Sequence, residues 1–596
     1  MARPLLSRPL AVLAQALDNR VGWHRLPLPL GLLALLGLRH RLQSENLHDT
    51  GVPKGDAVAT AGRNPRYETA RSFDGTYNDL ANPRMGSVGT RFGRNIPLER
   101  SYPEEPPRVL QPSPRVVSRE LMTRHQFLPA TTLNLLAAAW IQFEVHDWVF
   151  HGIPDETDPW EIPLAEDDSW PERPMRINRT RPDPQRDLNG GAPTWASTET
   201  HWWDGSQVYG VDEASAARLR TGELGKLWID ERGLPPPALE EGLDYRGVPG
   251  SLWIGLAILH SLFVREHNAI CDHLHERHPE LSDDDLYDKA RLVVAALMAK
   301  IHTVDWTPAI IAHPTTVHAL HTQWWGLLGE RFHKRFARRT RNAFLHGIPG
   351  TATSLHGVPY ALTEEFVSVY RMHPLIPDEF TFRSLRTDDV LQERTFEEVG
   401  VLQMRHRLEE LEMSDVFYSF GIAHPGAITL HNFPRFLQQF NRADGAVLDL
   451  AAIDVLRMRE RGVPRYNEFR RLLHRPPATS FEELTGDTET AEEIRRVYGG
   501  DLDSVDLMVG LFAEPKPKGF GFSDTAFRIF ILMATRRLES DRFFTVDYRP
   551  EVYTQAGLDW VDRNSMRSLL LRHFPELEPS LRGVANAFAP WRRVGA

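Results

Sequence analysis

The strongest constraint on the fold is a pair of apolar segments, residues 134–151 and 364–378, each of which encloses a histidine. The first segment is NLLAAAWIQFEVHDWVFH, and its leucine, alanine and tryptophan residues favour a buried helix. Gln142 and His146 are four positions apart, so both side chains project from one face of that helix. Asp147 is turned by about 100° and must therefore serve a different partner.

The second segment, EEFVSVYRMHPLIPD, carries a phenol and an imidazole about one helical turn apart. Tyr370 and His373 are predicted to share one side of a helix, which Pro374 then ends or kinks. One imidazole bound to iron, with another facing it across a buried flat cofactor, would account for both segments. A core histidine hydrogen-bonded to a neighbour is the commoner role for either histidine taken alone.

Composition excludes several classes of function. The chain has 69 Lys and Arg against 80 Asp and Glu, and a net charge of −11 leaves no basic surplus for nucleic-acid binding. The one cysteine, Cys271, cannot form an intramolecular disulfide, which predicts a reducing compartment such as the cytoplasm, or at least stability without disulfides. In HDWVFH the histidines are five apart and no HExxH motif occurs, which excludes a zinc-hydrolase site.

The ends and connections of the chain carry weaker signals. No run reaches the roughly 20 apolar residues that span a bilayer. Residues 1–50 are basic and leucine-rich, and they predict a helical arm that packs on the body or dips into a membrane surface. Residues 152–200 are rich in Pro, Asp and Trp without periodicity, and they predict a surface loop.

Several motifs together resemble the animal haem peroxidase and cyclooxygenase superfamily, and within it the fatty-acid alpha-dioxygenases of plants and bacteria. The matches follow the family order from about Trp23 to the C-terminal RHFPEL, so they cover nearly the whole chain. The resemblance implies a mainly α fold with long loops and little β, formed by one large catalytic domain over residues 51–596 after the arm at 1–50. The motifs are the segment around His146, THWWDGSQVYG (200–210), LFVREHN (262–268), AKIHTVDWT (299–307) and VSVYRMHPLIPD (367–378).

The resemblance assigns the first roles to the two histidines. It implies that His373 is the proximal ligand of a haem iron and that His146 is the distal histidine, which moves a proton as peroxide is cleaved. Gln142 is the hydrogen-bonding companion of His146 over the iron. Asn432, within HNFPRF, is expected to accept the second N–H of His373 and so to tune the iron.

The resemblance also predicts how the haem is held. Peroxidases that tether their haem by ester bonds have a carboxylate just before the distal histidine and a Glu-Met pair upstream of REHN. This chain has Val145 at the first place and Leu252 and Trp253 at the second. None of these side chains can form an ester, so we expect non-covalent haem b.

Fatty-acid binding is assigned to residues in two motifs. His302 and Thr307, in AKIHTVDWT, are expected to hold the substrate carboxylate. In AFRIFILMATRRLESDRFF, Arg537 matches the family arginine and Arg536 is its neighbour. An arginine at the end of an apolar helix can form a bidentate pair with a carboxylate. A solvated charge run explains residues 539–542 well, but it explains the two arginines less well.

A calcium site is expected in THWWDGSQVYG. Thr200, Asp204 and Ser206 offer three hard oxygens within seven residues, which suits calcium when another carboxylate is available. In the family such a loop binds calcium together with the aspartate beside the distal histidine. The expected ligands are therefore Asp147, these three residues and the carbonyl of Trp202, and the role is structural because calcium would fix the distal helix.

The function that the resemblance implies is alpha-dioxygenation of a long-chain fatty acid. A hydroperoxide would activate the enzyme, a radical on Tyr370 would take a hydrogen atom from carbon 2, and dioxygen would add there. The 2-hydroperoxy product can lose carbon dioxide to give a shortened aldehyde. The alternatives are a peroxidase for small reductants and a non-catalytic lipid-binding protein. We expect a cytoplasmic monomer that can contact membranes peripherally.

Overall fold

Helices form about half of the described chain and the sheets are small, which confirms the prediction of a mainly α fold. In the computed structural model, the described residues are 7–51, 64–145, 148–183, 191–235, 253–330, 346–400, 404–441 and 445–595. No helix within these ranges is long and apolar enough to cross a bilayer.

The helices fall into an N-terminal and a C-terminal series. The first is α1 Ser7–Val21, α2 Leu28–Glu45, α3 Pro114–Val117, α4 Leu136–Val145, α5 Ser206–Tyr209, α6 Glu213–Leu219, α7 Ile254–Arg277, α8 Asp283–Ile301, α9 Thr307–Ile310, α10 Pro314–Trp325 and α11 Glu364–Val369. The second is α12 Phe396–Val399, α13 Met404–Glu410, α14 Met413–Ile422, α15 Leu450–Glu460, α16 Tyr466–Leu472, α17 Phe481–Thr485, α18 Thr488–Val497, α19 Leu507–Ala513, α20 Asp524–Ser540, α21 Pro550–Arg563, α22 Met566–His573 and α23 Glu578–Leu581.

The strands form three antiparallel pairs. They are β1 Asp155–Ile162 with β2 Met175–Arg179, β3 Glu379–Arg383 with β4 Val390–Thr395, and β5 Phe440–Asn441 with β6 Val447–Leu448. The first pair lies where the sequence predicted a surface loop. Trp160 and Ile162 from β1 and Ile177 from β2 are buried with residues of α15, so apolar side chains on one face hold this hairpin against the body.

Two long helices, α7 and α8, lie at the centre of the fold. Both are buried over most of their length, and α4 and α21 pack against them. A capping box between Ser282 and Asp285 starts α8 by satisfying backbone N–H groups of its first turn. At its far end α8 continues into a π-helical turn, His302–Trp306, which places His302 in the interior. Such turns are frequent at functional sites.

The segment with Tyr370 and His373 is not one helix, which corrects the prediction. Thr363 caps α11 by accepting a hydrogen bond from the backbone N–H of Phe366, and the helix ends at Val369. Tyr370 is the C-cap residue, and His373 begins a separate 3₁₀ turn that includes Pro374. The backbone leaves helical geometry at Tyr370 (φ −90°, ψ 9°) and at Met372 (φ −106°, ψ 28°), so the chain turns between the phenol and the imidazole.

The N-terminal arm is a helical hairpin of α1 and α2 that packs on α10 and α20. Trp23, between the two helices, is fully buried and donates its indole N–H to Asp524 at 2.9 Å. Arg528 pairs with Asp18 of the arm at 2.7 Å and with Asp524 at 3.0 Å. These buried contacts anchor the arm to the start of α20.

Candidate active site

Gln142 lies on α4, the buried helix that leads to His146. Its side-chain oxygen Oε1 accepts a hydrogen bond of 2.6 Å from the indole Nε1 of Trp253 at the start of α7. This contact orients the amide. His146 and Asp147 lie outside the described residues, so their roles stay predictions.

Tyr370 is a buried phenol, with 6% of its surface exposed. Its ring lies 4.5 Å from that of Phe366, 6.3 Å from that of Phe530 and 6.5 Å from that of Trp148, measured between centroids. Burial raises the pKa of Tyr370 far above its usual value, although the charge of Arg537 acts in the opposite direction. The group is therefore a neutral phenol that can give up a hydrogen atom without solvent nearby.

His373 is positioned by a buried carboxylate. Its Nδ1 lies 2.9 Å from Oδ2 of Asp454, a residue of α15. The other carboxylate oxygen of Asp454 lies 3.2 Å from Arg371. Burial raises the pKa of Asp454, but Arg371 and His373 outweigh this effect and the net shift is downward. An ionised partner at Nδ1 directs the opposite nitrogen, Nε2, away from Asp454.

Asn432 does not accept a hydrogen bond from His373, which corrects the prediction. Its Oδ1 accepts from Nε of Arg124 at 3.0 Å and from the backbone N–H of Leu128 at 3.1 Å. Its amide nitrogen donates to the carbonyls of Leu128 and Ala427. Asn432 therefore ties the segment 124–128 to Ala427, and the group that lies beside Nδ1 of His373 is the carboxylate of Asp454.

Arg537 is a cation enclosed by aromatic rings. It is 1% exposed, and within the described residues its three guanidinium nitrogens have no hydrogen-bond partner. Its Cζ lies 3.6 Å from the ring centroid of Trp148 and 4.7 Å from that of Trp203. The Arg537 charge acts on the hydroxyl of Tyr360, but that hydroxyl donates its hydrogen bond to the carbonyl of His201. A buried guanidinium that has no partner among the described residues suits an incoming anion.

His302 supplies a neutral donor beside this cation. Its Nδ1 accepts a hydrogen bond of 3.2 Å from the indole Nε1 of Trp140, so the neutral ring carries its proton on Nε2. Burial, and then the charge of Arg537, lowers the pKa of His302 far below its usual value. The ring stacks on Trp306 at 4.7 Å and meets the edge of Trp203 at 5.1 Å.

Trp148 connects these groups. Its indole contacts the guanidinium of Arg537 on one side, and its ring centroid lies 5.9 Å from His302 and 6.5 Å from Tyr370. Three predicted site residues from separate parts of the chain therefore meet around one side chain that the sequence argument did not select. The only sequence signal for Trp148 was its place two residues after His146 in an apolar run.

Thr307 and Arg536 differ from the other predicted carboxylate ligands. The hydroxyl of Thr307 donates to the carbonyl of His302 at 2.7 Å, so it stabilises the π-helical turn. Arg536 donates to the carbonyls of Val358 and Pro359, both at 2.8 Å. Neighbouring helical residues differ by about 100°, so Arg536 points away from the groups around Trp148. This corrects the prediction that Arg536 binds the carboxylate.

The expected calcium loop brings three oxygen-bearing side chains together in the interior. Thr200, Asp204 and Ser206 are all buried. The hydroxyl of Thr200 lies 3.0 Å from the Asp204 carboxylate, whose other oxygen accepts from the backbone N–H of Ser206 at 3.2 Å. Trp202 is held in place by stacking on Tyr360 at 4.4 Å. Hard oxygens in a buried loop suit calcium.

The sequence and the fold both match known proteins. The family model described as animal haem peroxidase matches residues 70–585. Alpha-dioxygenase PIOX of Oryza sativa subsp. japonica is 40% identical over 97% of this chain and 94% of that protein. The chain is an alpha-dioxygenase of the animal haem peroxidase family.

Two solved structures show the likeness of this alpha-dioxygenase to others in three dimensions. A tyrosine-to-phenylalanine variant of Oryza sativa fatty acid alpha-dioxygenase with palmitic acid has a TM-score of 0.91 and 38% identity, covering 99% of this chain and 97% of that one. Fatty acid alpha-dioxygenase of Arabidopsis thaliana has a TM-score of 0.89 and 36% identity, covering 99% and 93%. The fold is therefore shared over nearly the whole chain.

Membership of this family implies haem, and the residues of this alpha-dioxygenase fit it. With Nδ1 of His373 at Asp454, Nε2 is the nitrogen left for an iron ligand. At the places where ester-linked haem would need acids, Val145 has no reactive group and Trp253 uses its indole N–H on Gln142. The donor set is therefore that of a haem held through one histidine.

Proposed function

We propose that this alpha-dioxygenase adds dioxygen to carbon 2 of a long-chain fatty acid. The observation that carries the proposal is the cluster around Trp148, where a buried arginine and a neutral histidine lie beside a buried phenol. The arginine has no hydrogen-bond partner within the part of the chain that the structure describes. The first two groups suit a carboxylate, and the third suits hydrogen-atom transfer. Their proximity favours attack next to the head of the lipid.

The carboxylate is held by charge and by hydrogen bonding. Arg537 offers a planar set of N–H donors, and an incoming carboxylate would neutralise its charge. His302 adds an N–H from Nε2 while Trp140 holds its other nitrogen. Because both groups lie near Tyr370, carbon 2 is the first C–H bond within reach of the phenol oxygen, and position therefore selects the carbon that reacts.

Hydrogen-atom transfer is the task of Tyr370. His373 would hold the haem, which would supply the oxidising power when traces of hydroperoxide are present, and His146 would move a proton as that hydroperoxide is cleaved. Tyr370 gives up its phenolic hydrogen atom and then takes one from carbon 2 of the substrate. Dioxygen adds to the carbon radical, and the resulting peroxyl radical takes the hydrogen atom back from the Tyr370 phenol. This gives a 2-hydroperoxy fatty acid and restores the tyrosyl radical. Loss of carbon dioxide from this product leaves an aldehyde one carbon shorter.

Two further features belong to this proposal. We infer non-covalent haem b, which acid-acetone should extract completely, and haem left on the polypeptide would contradict this.

We also infer a structural calcium ion at Thr200, Asp204 and Ser206, with the Trp202 carbonyl and Asp147 as further ligands. Its role would be to tie this loop to the segment that carries His146.

Exposed apolar residues of the N-terminal arm support the inference that it contacts a membrane surface. Val12 and Leu13 are each 66% exposed, and Leu30 and Leu33 are each 49% exposed. Residues 1–44 contain six arginines and one acidic residue, Asp18, which is buried. An apolar face with basic neighbours suits an anionic lipid surface. Replacing Leu30 and Leu33 with Asp should prevent sedimentation with anionic liposomes, and unchanged sedimentation would contradict the inference.

We infer that the enzyme works as a monomer in the cytoplasm. Cys271 is a buried free thiol, which is compatible with a reducing compartment. A peroxidase for small reductants is the rival within enzymes, but it has no need for a buried arginine beside the phenol. A non-catalytic lipid-binding protein would bind a fatty acid without consuming oxygen.

Oxygen consumption by the purified holoprotein tests the proposal. With palmitate and a trace of hydroperoxide, we expect sustained uptake of dioxygen and a product oxygenated at carbon 2. Oxidation of small phenols without oxygen uptake on palmitate would favour the peroxidase. A protein that shows no haem Soret band and binds palmitate would favour the lipid-binding rival.

A further inference from the structure

Arg537 has a second set of contacts that carboxylate binding does not require. Its guanidinium lies flat against the indole of Trp148, and it is also near the indole of Trp203. These two tryptophans are in edge contact, with ring centroids 5.2 Å apart at 80°. One positive charge is therefore shared by a pair of touching indoles in the interior.

The same pair of indoles leads away from Tyr370. The centroid of Trp148 lies 6.5 Å from that of Tyr370, and Trp203 lies beyond it. Trp203 donates its indole N–H to the buried carboxylate of Glu144 at 2.9 Å. A carboxylate that can accept the indole proton favours oxidation of Trp203. Trp148 and Trp203 therefore form a path along which the radical could leave Tyr370.

A tyrosyl radical and a tryptophan are close in reduction potential, so contact between them invites electron transfer. The oxidised indole would carry positive charge, and a guanidinium 3.6 Å from its ring would repel that charge strongly in a buried environment. The cation–π contact also stabilises the electron-rich, reduced form of the ring. Arg537 therefore opposes oxidation at the first indole on the path.

We propose that Arg537 confines the radical to Tyr370 by holding Trp148 and Trp203 in their reduced form, an action that rests on the proposed radical role of Tyr370. The reaction it suppresses is the passage of one electron from Trp148 to the Tyr370 phenoxyl radical, which takes back the proton that it released when it was oxidised. Trp148 would be left as an indole radical cation, and Trp203 could next reduce it and release its proton to Glu144. In this role Arg537 acts through the effect of its charge on the two indoles, and this action is separate from its contact with substrate.

The test is electron paramagnetic resonance of the holoenzyme, freeze-quenched after mixing with a hydroperoxide and no fatty acid. Enzyme is prepared with ring-deuterated tyrosine or ring-deuterated tryptophan, because the label that narrows the signal identifies the radical. Wild type should respond to the tyrosine label. In Arg537→Gln the ratio of tryptophan to tyrosine radical should rise by at least about tenfold, and adding Trp148→Phe should reverse the rise.

Arg537→Lys is the matched control, since it keeps the positive charge and should retain the tyrosine signal. The proposal is overturned if Arg537→Gln gives the wild-type label pattern, or if Arg537→Lys behaves like Arg537→Gln. A wild-type signal that ignores the tyrosine label would overturn the proposed function itself. That outcome is distinct from failure of the Arg537 variants alone.

A second measurement needs no variant. The carboxylate of 2,2-dimethylpalmitic acid should neutralise Arg537, but the compound has no hydrogen on carbon 2 to lose. At a concentration that blocks oxygen uptake on palmitate, it should raise the tryptophan share of the signal in wild type. An unchanged share at that concentration would overturn the proposal.

Discussion

Replacing Arg537 with methionine should separate binding from stability, because the two respond in opposite directions. The guanidinium is 1% exposed and has no hydrogen-bond partner among the described residues. An uncompensated interior charge costs several kcal/mol. Its two cation–π contacts offset this cost by about 2 kcal/mol each at most. Arg537→Met should therefore leave the ligand-free protein equally stable or more stable by up to about 2 kcal/mol.

Fatty-acid binding should weaken greatly in the same variant. Two charge-assisted hydrogen bonds from the guanidinium to a carboxylate contribute about 3–5 kcal/mol together. The dissociation constant for palmitate should therefore rise by about 10²- to 10³-fold. Palmitate should raise the melting temperature of wild type but not that of the variant, because a ligand stabilises only the state that binds it.

Arg536→Met is the matched control for this experiment. Its loss leaves the half-buried carbonyls of Val358 and Pro359 without their donors, which costs about 1–3 kcal/mol. We expect a lower melting temperature and unchanged palmitate affinity. The reasoning is refuted if Arg537→Met destabilises the ligand-free protein as much as Arg536→Met does, or if both variants bind palmitate like wild type.

Three further predictions concern the groups around the site. Asp454→Asn should raise the iron reduction potential and weaken the iron–histidine vibration in resonance Raman spectra, whereas Asn432→Ala should leave that vibration in place. A calcium chelator should lower the melting temperature of wild type but not of Asp204→Ala, and equal losses would contradict the site. The contribution of His302 to the stability of the fold should decrease as pH falls below about 6.5, because the unfolded chain then binds a proton that the buried ring of the folded protein does not bind. The slope of stability against pH should be smaller in His302→Gln, and an unchanged slope would contradict the assigned neutral state.

The sequence predicted the fold class because long apolar helices leave a clear periodic signal. It did not predict the hairpin of β1 and β2, since the alternation of Trp160, Glu161 and Ile162 is too short to indicate a strand. The burial of these apolar side chains also depends on distant residues, including those of α15. It also placed Tyr370 and His373 on one helix, although the spacing itself fits either arrangement. The local structure depends on the end of α11 at Val369 and on the separate 3₁₀ turn that begins at His373, and neither can be read from the spacing.

In the site too, some residues could be predicted from local motifs, whereas others depend on contacts between distant parts of the chain. Arg537 and His302 could be selected from motifs, and the structure gathers them near Tyr370. The choice between Arg536 and its neighbour depends on the rotation of α20, which the sequence of one helix does not determine. Asp454 was missed because its contact with His373 joins residues 81 positions apart.

The central claim is that the Tyr370 phenol removes the hydrogen atom from carbon 2. Oxygen uptake by haem-loaded Tyr370→Phe with palmitate tests it most directly, because the substitution removes one oxygen atom and keeps the ring. The account predicts a Soret band like that of wild type and no oxygen uptake above background. Uptake near the wild-type rate, with product still oxygenated at carbon 2, would contradict it.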